Sequence, residues 1–444
     1  MSRSEELSGW GRYPRRPGPA ATPRSFEEIR DLFGQGGRVA RGNGRAYGDS
    51  AIGAAGTIHM RRLNRMLAFD GETGQLTAEA GVLLGDVVES FLPRGWFPFV
   101  TPGTKFVTLG GAIAADVHGK NHHCEGSFGT FVDWVEVMGP DGAVTRASRN
   151  DNRELFEWTL GGMGLTGVIL RAAIRLRPVE SGWIRQSTIA APDLTSAMAA
   201  LEAGGSATYS VAWIDCLASG QALGRSLVML GEHAARDEVP DARRGRPFET
   251  PFRRTWRMPV EMPGAALNSA TIKAFNALYW RKGMRGPRER LVSWDSYFYP
   301  LDAILDWNRI YGRRGLLQFQ CVLPLERAEA GLAALLRETA TTRQGSFLAV
   351  LKRMGRQESR FSFPREGYTL ALDFPVNARS LALLDRLDAI TLAHGGRFYL
   401  AKDARLSAEV LHRADPRATA FRDMRRSTGL DQAFASCQSE RLLL

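Results

Sequence analysis

The stretch 102–129, PGTKFVTLGGAIAADVHGKNHHCEGSFG, constrains this chain more than any other. It holds six glycines, three histidines and one cysteine, with little charge before Asp116. Adjacent glycines such as Gly110 and Gly111 each weaken a regular element by about 1 kcal/mol relative to alanine. A pair of them inside an apolar run therefore marks one of two things. Either a neighbouring surface approaches too closely for a Cβ, or the chain makes a tight turn between core elements. Both readings stand on this stretch alone.

A second glycine-rich stretch, RGNGRAYGD at 41–49, narrows the choice. Gly42, Gly44 and Gly48 lack the spacing of a dinucleotide fingerprint, and Gly119-Lys120 is followed by Asn121 where a P-loop has Ser or Thr. Gly162, Gly164 and Gly167 do have the GxGxxG spacing. However, a helix-like run (152–160) precedes them and a strand-like run (168–176) follows, the reverse of the order a Rossmann unit needs. What remains is a set of separate backbone loops in the first half of the chain, rich in N–H groups and poor in side chains. Such loops suit a large, planar, anionic cofactor held by peptide amides.

Several short pieces, in order along nearly the whole chain, carry a family resemblance: SGWGR at 8–12, GNGRAYGD at 42–49, PGT at 102–104 running through GGAIA at 110–114 to HGKNHH at 118–123, GLTG at 164–167, WNR at 307–309 with Tyr311-Gly312, Gln318 and Gln320, and AKD at 401–403 with Arg405. The sequence resembles the vanillyl-alcohol-oxidase-type flavoproteins, and within them the decaprenylphosphoryl-β-D-ribose 2′-oxidase subfamily. HGKNHH is specific to the subfamily; the GxGR and PGT…GG pieces are shared with the wider fold.

Length and composition agree with a globular protein of two large domains. The 444 residues are 44% hydrophobic and 24% charged, an ordinary balance. The N-terminal residues contain no apolar signal region, and no run approaches the length of a transmembrane helix, so a cytoplasmic location is expected. Four scattered cysteines without a CxxC pair imply no disulfide framework. The net charge of +11 is spread among acidic residues almost everywhere, which argues against a nucleic-acid arm. The exception is 236–290, rich in Arg and Pro with Phe252, Trp256 and Trp280 interleaved. It reads either as a loop lying peripherally on anionic lipid or as a solvated linker, and a polyprenyl-phosphate substrate, which the resemblance implies, favours the first.

Periodicity predicts a short helix over 25–33 with Ser25 as N-cap, a strand over 76–82, and a helix carrying Leu84, Val87, Val88 and Phe91 that stops at Pro93 and Gly95. A hairpin follows, turning at Pro140-Asp141-Gly142. Beyond a boundary at 178–182, strands (209–214, 317–323, 347–352, 368–374) alternate with helices (325–339, 378–393), the last ending at Gly395-Gly396. The pattern is α+β, without a regular βαβ repeat. By resemblance it is a two-domain FAD-binding fold: a discontinuous cofactor domain of 1–180 joined by 397–444, and a substrate domain, 181–396, built on an antiparallel sheet covered by helices.

Oxidising a secondary alcohol removes a hydride from carbon and a proton from oxygen. Lys402 is the first candidate to receive that proton or polarise the hydroxyl, provided burial lowers its pKa; taken alone, it reads as a surface partner of Asp403. His118 is the second. His118, His122 and His123 with Cys124 and Asp116 include zinc-donor types, but Gly119 and the extended run before it argue against a helix that would aim them at one ion, so no metal is expected. By resemblance, the flavin is lined by Arg41, Gly42, Asn43, Gly44, Arg45, Ala46, Tyr47, Gly48, Asp49 and Ser50, by Gly103, Thr108, Leu109, Gly110, Gly111, Ala115, Asp116, Val117 and His118, and by Ile169 and Tyr399. Residues 41–50 contain no histidine, so FAD is expected to be noncovalent. Gln318, Gln320, Lys352, Phe298, Ala371 and Lys402 match substrate positions, although each of Gln318, Gln320 and Lys352 also reads as a strand residue facing solvent.

Two departures stand out: Ala371 replaces a cysteine found in several actinobacterial members, and Phe298 replaces a usual tyrosine. Both remove polar groups near the expected substrate. Cys437 likewise replaces an acidic residue of the family's C-terminal pattern. Three functions are therefore carried forward. One is oxidation of the ribose 2′-hydroxyl of a polyprenyl-phosphoryl pentose, with a separate NAD(P)H-dependent keto-reductase completing epimerisation to arabinose. Another is oxidation of a soluble sugar or alditol with O2 as acceptor. The last is metal or nucleic-acid binding without catalysis.

Overall fold

Residues 3–33, 36–251, 253–263, 268–346 and 348–444 are described in the computed structural model. Phe252 of the basic segment, and Phe347 where alternation predicts a strand to begin, lie outside them. Three main sheets carry the chain. In the first half, Met66–Asp70, Gln75–Glu79, Val168–Pro178, Val132–Met138 and Val144–Ser148 pair antiparallel in that order, with Trp96–Pro98 on the far end of Val168–Pro178. Leu170, Ala172, Ile174 and Leu176 are buried and Arg175 is exposed, as period-2 alternation requires. The hairpin turns where Gly142 takes a positive φ and Asp141 accepts the N–H of Ala143 at 3.0 Å.

A smaller mixed sheet, Arg3–Ser8, Arg15–Ala21, Gly56–His59 and Arg38–Arg41, releases the 42–50 loop from its last strand. Ser25 caps the short helix Phe26–Arg30, and Leu84–Phe91 buries Leu84, Val87, Val88 and Phe91 before Gly95 turns the chain at φ 84°. The glycine pair lies in a short helix, Leu109–Ala114, whose N-cap Thr108 accepts from Gly111 N at 3.2 Å. The cap offsets part of what two glycines cost.

The second half is one eight-stranded antiparallel sheet: Glu289–Ser293, Trp183–Ala191, Ser226–His233, Tyr209–Ile214, Ala349–Met354, Gly367–Pro375, Leu316–Leu323 and Arg397–Phe398. Alternation divides its faces. Leu317, Phe319, Cys321, Leu351, Leu370 and Leu372 join one core with the helices Leu325–Thr341 and Ala378–Ala393, while their neighbours in sequence point the other way. Arg397–Phe398 pairs with Leu316–Leu323 in this sheet, and the chain after it packs on the first half. Tyr47 N donates to Ala401 O at 2.9 Å, Cys437 N to Ile52 O at 2.7 Å, and Arg441 binds Asp49 at 2.7 Å. The basic segment is more than a loop: it contains the 17-residue helix Ser269–Arg285 and a strand, Trp256–Arg257, parallel to Ile304–Leu305. Among the described residues no helix is long and apolar enough to cross a membrane.

Candidate active site

The 42–50 loop and the helix Leu109–Ala114 meet without side chains between them. A Cβ on Gly42 would overlap the Thr108 hydroxyl that caps the helix. One on Gly110 would lie 2.8 Å from the Ala80 Cβ, because Gly110 N donates to Ala80 O at 2.8 Å. Of the two readings of the glycine pair, close approach is the one the structure contains. The loop is held by Trp10 N to Ala46 O at 2.7 Å, Gly11 N to Tyr47 O at 2.9 Å, and the Asn43 amide to Phe106 O at 2.9 Å.

The result is a cleft of about 1770 Å³, counting its open mouth. One wall is nearly bare of charge: Gly42, Asn43, Gly44, Ala46, Ser50, Gly103, Thr108, Gly110, Gly111, Ala115, Val117 and Ile169 all line it. Arg45 is the exception. Its guanidinium lies 4.1 Å from the Trp10 ring centroid and 5.0 Å from that of Phe106, with Nε buried and unpartnered. Absent Cβ atoms and a half-buried guanidinium suit a flat ligand with an anionic linker.

The opposite wall is made of side chains. Gln318, Gln320, Val350, Lys352, Thr369 and Ala371 all project from the face of the large sheet turned away from the helices, and His118, Tyr399 and Lys402 join them from elsewhere in the chain. The register places Gln320 and Val350 on either side of Ala371, and Lys352 opposite Thr369. The Gln320 amide donates to Thr369 Oγ1 at 3.1 Å and to His118 Nε2 at 3.0 Å. With Nε2 accepting, the neutral ring carries its proton on Nδ1, which is buried and has no partner. Burial, then the charge of Lys352, holds His118 well below its ordinary pKa.

Burial pushes the Lys352 amine down to about 8, with Lys402 adding like-charge repulsion; its Nζ lies 3.4 Å from Gly119 O. Burial also lowers the Lys402 amine, opposed by the negative charge of Asp373, and Nζ sits 4.0 Å from the Tyr47 ring centroid. The surface pairing of Lys402 with Asp403 does not form. Asp403 instead binds Arg441 at 2.9 Å; burial raises its pKa, but Arg441 and two backbone N–H groups outweigh that and hold it low.

Six expected residues lie outside the cleft lining. Arg41 turns its guanidinium to Ser8 O and Ala51 O, and Asp49 is taken by Arg441. Gly48 packs on the 403–404 backbone, and Leu109 faces the core beneath the helix. Asp116 is saturated by the Ser127 hydroxyl, Gly129 N and the Gln357 amide. Phe298 is fully buried against Phe97 and Tyr209, so it presents nothing to a ligand. The histidines diverge: His122 binds the Gln357 side chain and Gly355 N, and His123 binds Ala207 O. Lining residues that sequence reasoning missed include Met163, Asp302, Val350 and Thr369. Strand alternation flags Val350 and Thr369 once the neighbouring residues are placed; Asp302, which accepts Lys105 N at 2.8 Å, has no sequence signal.

A family model described as an FAD binding domain matches residues 33–148, the stretch that supplies the bare wall. The chain is 35% identical to decaprenylphosphoryl-beta-D-ribose oxidase of Mycolicibacterium smegmatis, over 99% of this chain and 98% of that one. It is 34% identical to an uncharacterized protein of Streptomyces coelicolor encoded in the mprA 5′ region, over 81% and 100%. Bovine L-gulonolactone oxidase is 31% identical over about a third of each chain (35% and 36%). A match end to end at this identity, on a fold of mixed helices and antiparallel sheets with an FAD binding domain, decides the family. The chain belongs to the decaprenylphosphoryl-β-D-ribose oxidases, FAD-dependent oxidoreductases.

Proposed function

We propose that the protein oxidises the 2′-hydroxyl of a polyprenyl-phosphoryl-β-D-ribose to the 2′-ketone. The observation that carries this reading is the facing of two unlike walls across one cleft: a glycine wall nearly bare of charge, and a wall bearing two half-buried lysines, a neutral histidine and two amides. Bound FAD supplies the hydride acceptor. In this reading the backbone around 42–50 and 108–111 holds FAD noncovalently, with Arg45 toward its charged part, and residues 1–180 with 397–444 form the cofactor domain. Residues 181–396 form the substrate domain. Lys402 takes or polarises the hydroxyl proton, His118 donates from Nδ1 to the sugar, and Gln318 and Gln320 orient the ring. Lys352, a half-buried cation without a carboxylate partner among the described residues, receives the phosphate. The apolar wall at Ala371 leaves the reacting face open.

Oxidation removes the stereocentre at C2′, so a separate NAD(P)H-dependent keto-reductase delivering hydride to the other face completes epimerisation to the arabinose donor. A lipid-linked substrate also places the protein at a membrane surface. Leu278 and Met284 are exposed on the helix that carries Arg281, Lys282 and Arg285, and Trp256 is exposed elsewhere in the same basic segment, a composition suited to peripheral contact with anionic lipid. Anaerobic titration of the purified protein tests the reading. Prenyl-phosphoryl ribose is expected to bleach the flavin while free ribose and free alditols do not. Bleaching by free polyols alone overturns it in favour of a soluble-sugar oxidase.

A further inference from the structure

Behind the cleft wall, the same face of the large sheet carries a carboxylate to which no role has yet been given. Asp373 is fully buried, two residues beyond Ala371 and directly opposite Gln318 in the strand pairing. Alternation therefore sets it on the cleft side of the sheet. One of its oxygens accepts from the Gln318 amide; the other is buried without a hydrogen-bond partner. The charge acting on it is that of Lys402, whose Nζ sits 4.0 Å from the Tyr47 ring centroid, and the phenols of Tyr47 and Tyr311 are its other titratable neighbours, the Tyr311 hydroxyl also unpartnered. A carboxylate is kept in such a place at a cost of several kcal/mol unless a cation answers it.

We propose that Asp373 is a positioning residue for the reaction: from behind Gln318 it sets the protonation state of Lys402 and balances the ammonium that Lys402 becomes on taking the substrate proton. The inference rests on the reading that Lys402 faces the reacting hydroxyl. In the step concerned, the O–H bond of the secondary alcohol breaks and its proton forms an N–H bond with the free amine of Lys402. The C–H hydrogen leaves with its electron pair to oxidised FAD, so the alcohol is oxidised to the ketone and the cofactor is reduced by two electrons. Burial lowers the Lys402 amine and raises the Asp373 carboxyl, while each group's charge opposes the other's shift. Lys352 and His118 also face Lys402 but cannot play this part, one being a like charge and the other neutral.

Asp373→Asn deletes the charge and keeps the shape. In FAD-loaded protein without substrate, the pH midpoint for acetylation of Lys402, read by peptide mass spectrometry, is expected to move about one unit to the acid side. The rising limb of the pH profile for flavin bleaching moves with it, and Asp373→Glu returns both toward wild type. A merely structural residue lowers stability and flavin content but moves neither midpoint, and an unmoved midpoint overturns the proposal. Lys402→Met gives the reciprocal test if Asp373→Asn does not fold: the infrared band of the protonated carboxyl is expected to titrate about one unit higher than in wild type, and an unshifted band overturns it. Acetylation needs no turnover. Midpoints that shift as expected while no prenyl-phosphoryl ribose bleaches wild-type flavin refute the substrate assignment and not the pair.

Discussion

Along the 42–50 loop and the helix Leu109–Ala114, the cleft is shaped by atoms that are missing; across it, on the strands Leu316–Leu323, Ala349–Met354 and Gly367–Pro375, it is shaped by side chains that converge. A cofactor common to many reactions is met by backbone, whose amides are the same in every protein. A particular substrate is met by side chains, whose identity varies from one protein to another. Of the three departures from the family pattern, Ala371 lies on the side-chain wall, while Phe298 belongs to a separate core with Phe97 and Tyr209.

The sharpest way to break the comparison is Lys402→Ala. It is expected to keep FAD and to lose turnover by about 10³-fold, as removal of a general base does; flavin bleaching at the wild-type rate means the side-chain wall is misassigned. Gly110→Val acts on the other wall. Its β-carbon collides with Ala80, and FAD retention after purification is expected to weaken by about 100-fold, overpacking costing about 1–3 kcal/mol before any clash with the ligand. A variant that keeps its flavin would show that this wall does not hold the cofactor.

The seam between the walls is tested by pH. His122, which opens the short helix His122–Glu125 after His118, is buried, and burial lowers its pKa to about 4 against an ordinary 6.5. Its folded pKa is depressed, so the unfolded chain binds the proton first. The stabilisation is whole above pH 6.5 and is lost as pH falls toward 4. Urea unfolding at pH 7 and pH 4.5 is expected to show roughly 2 kcal/mol more loss in wild type than in His122→Gln, and equal slopes would place that ring in water. The smallest effect is expected from Ala371→Ser. A hydroxyl beside Gln320 changes KM for the lipid-linked sugar by less than about tenfold, the range of one hydrogen bond, with kcat nearly unchanged; a collapse of kcat would put the reacting carbon against that residue.

Much of the fold was legible because its signals are local. The stripe of Leu383 and Leu387 marks the helix Ala378–Ala393, and Asp141-Gly142 marks the hairpin. The helix at Leu109–Ala114 was not, because two glycines speak against a helix while the packing on Ala80 that requires them is not visible in the sequence. Resemblance carried positions but not directions. Leu109, Asp116 and Asp49 sit inside the right segments yet turn into the core, into hydrogen bonds or onto Arg441. Asp373 carries no signal in the sequence, since a single aspartate in a strand has no pattern until Gln318 is placed opposite it.

By itself the sequence determined the bare wall, since the absence of a Cβ at Gly42, Gly110 and Gly111 is a property of the residue and needs no partner to be read. Only the tertiary structure decided the chemistry opposite. Lys402, Lys352, His118 and Asp373 acquire their shifted pKa values from burial against one another, and burial depends on which distant segments the fold brings together.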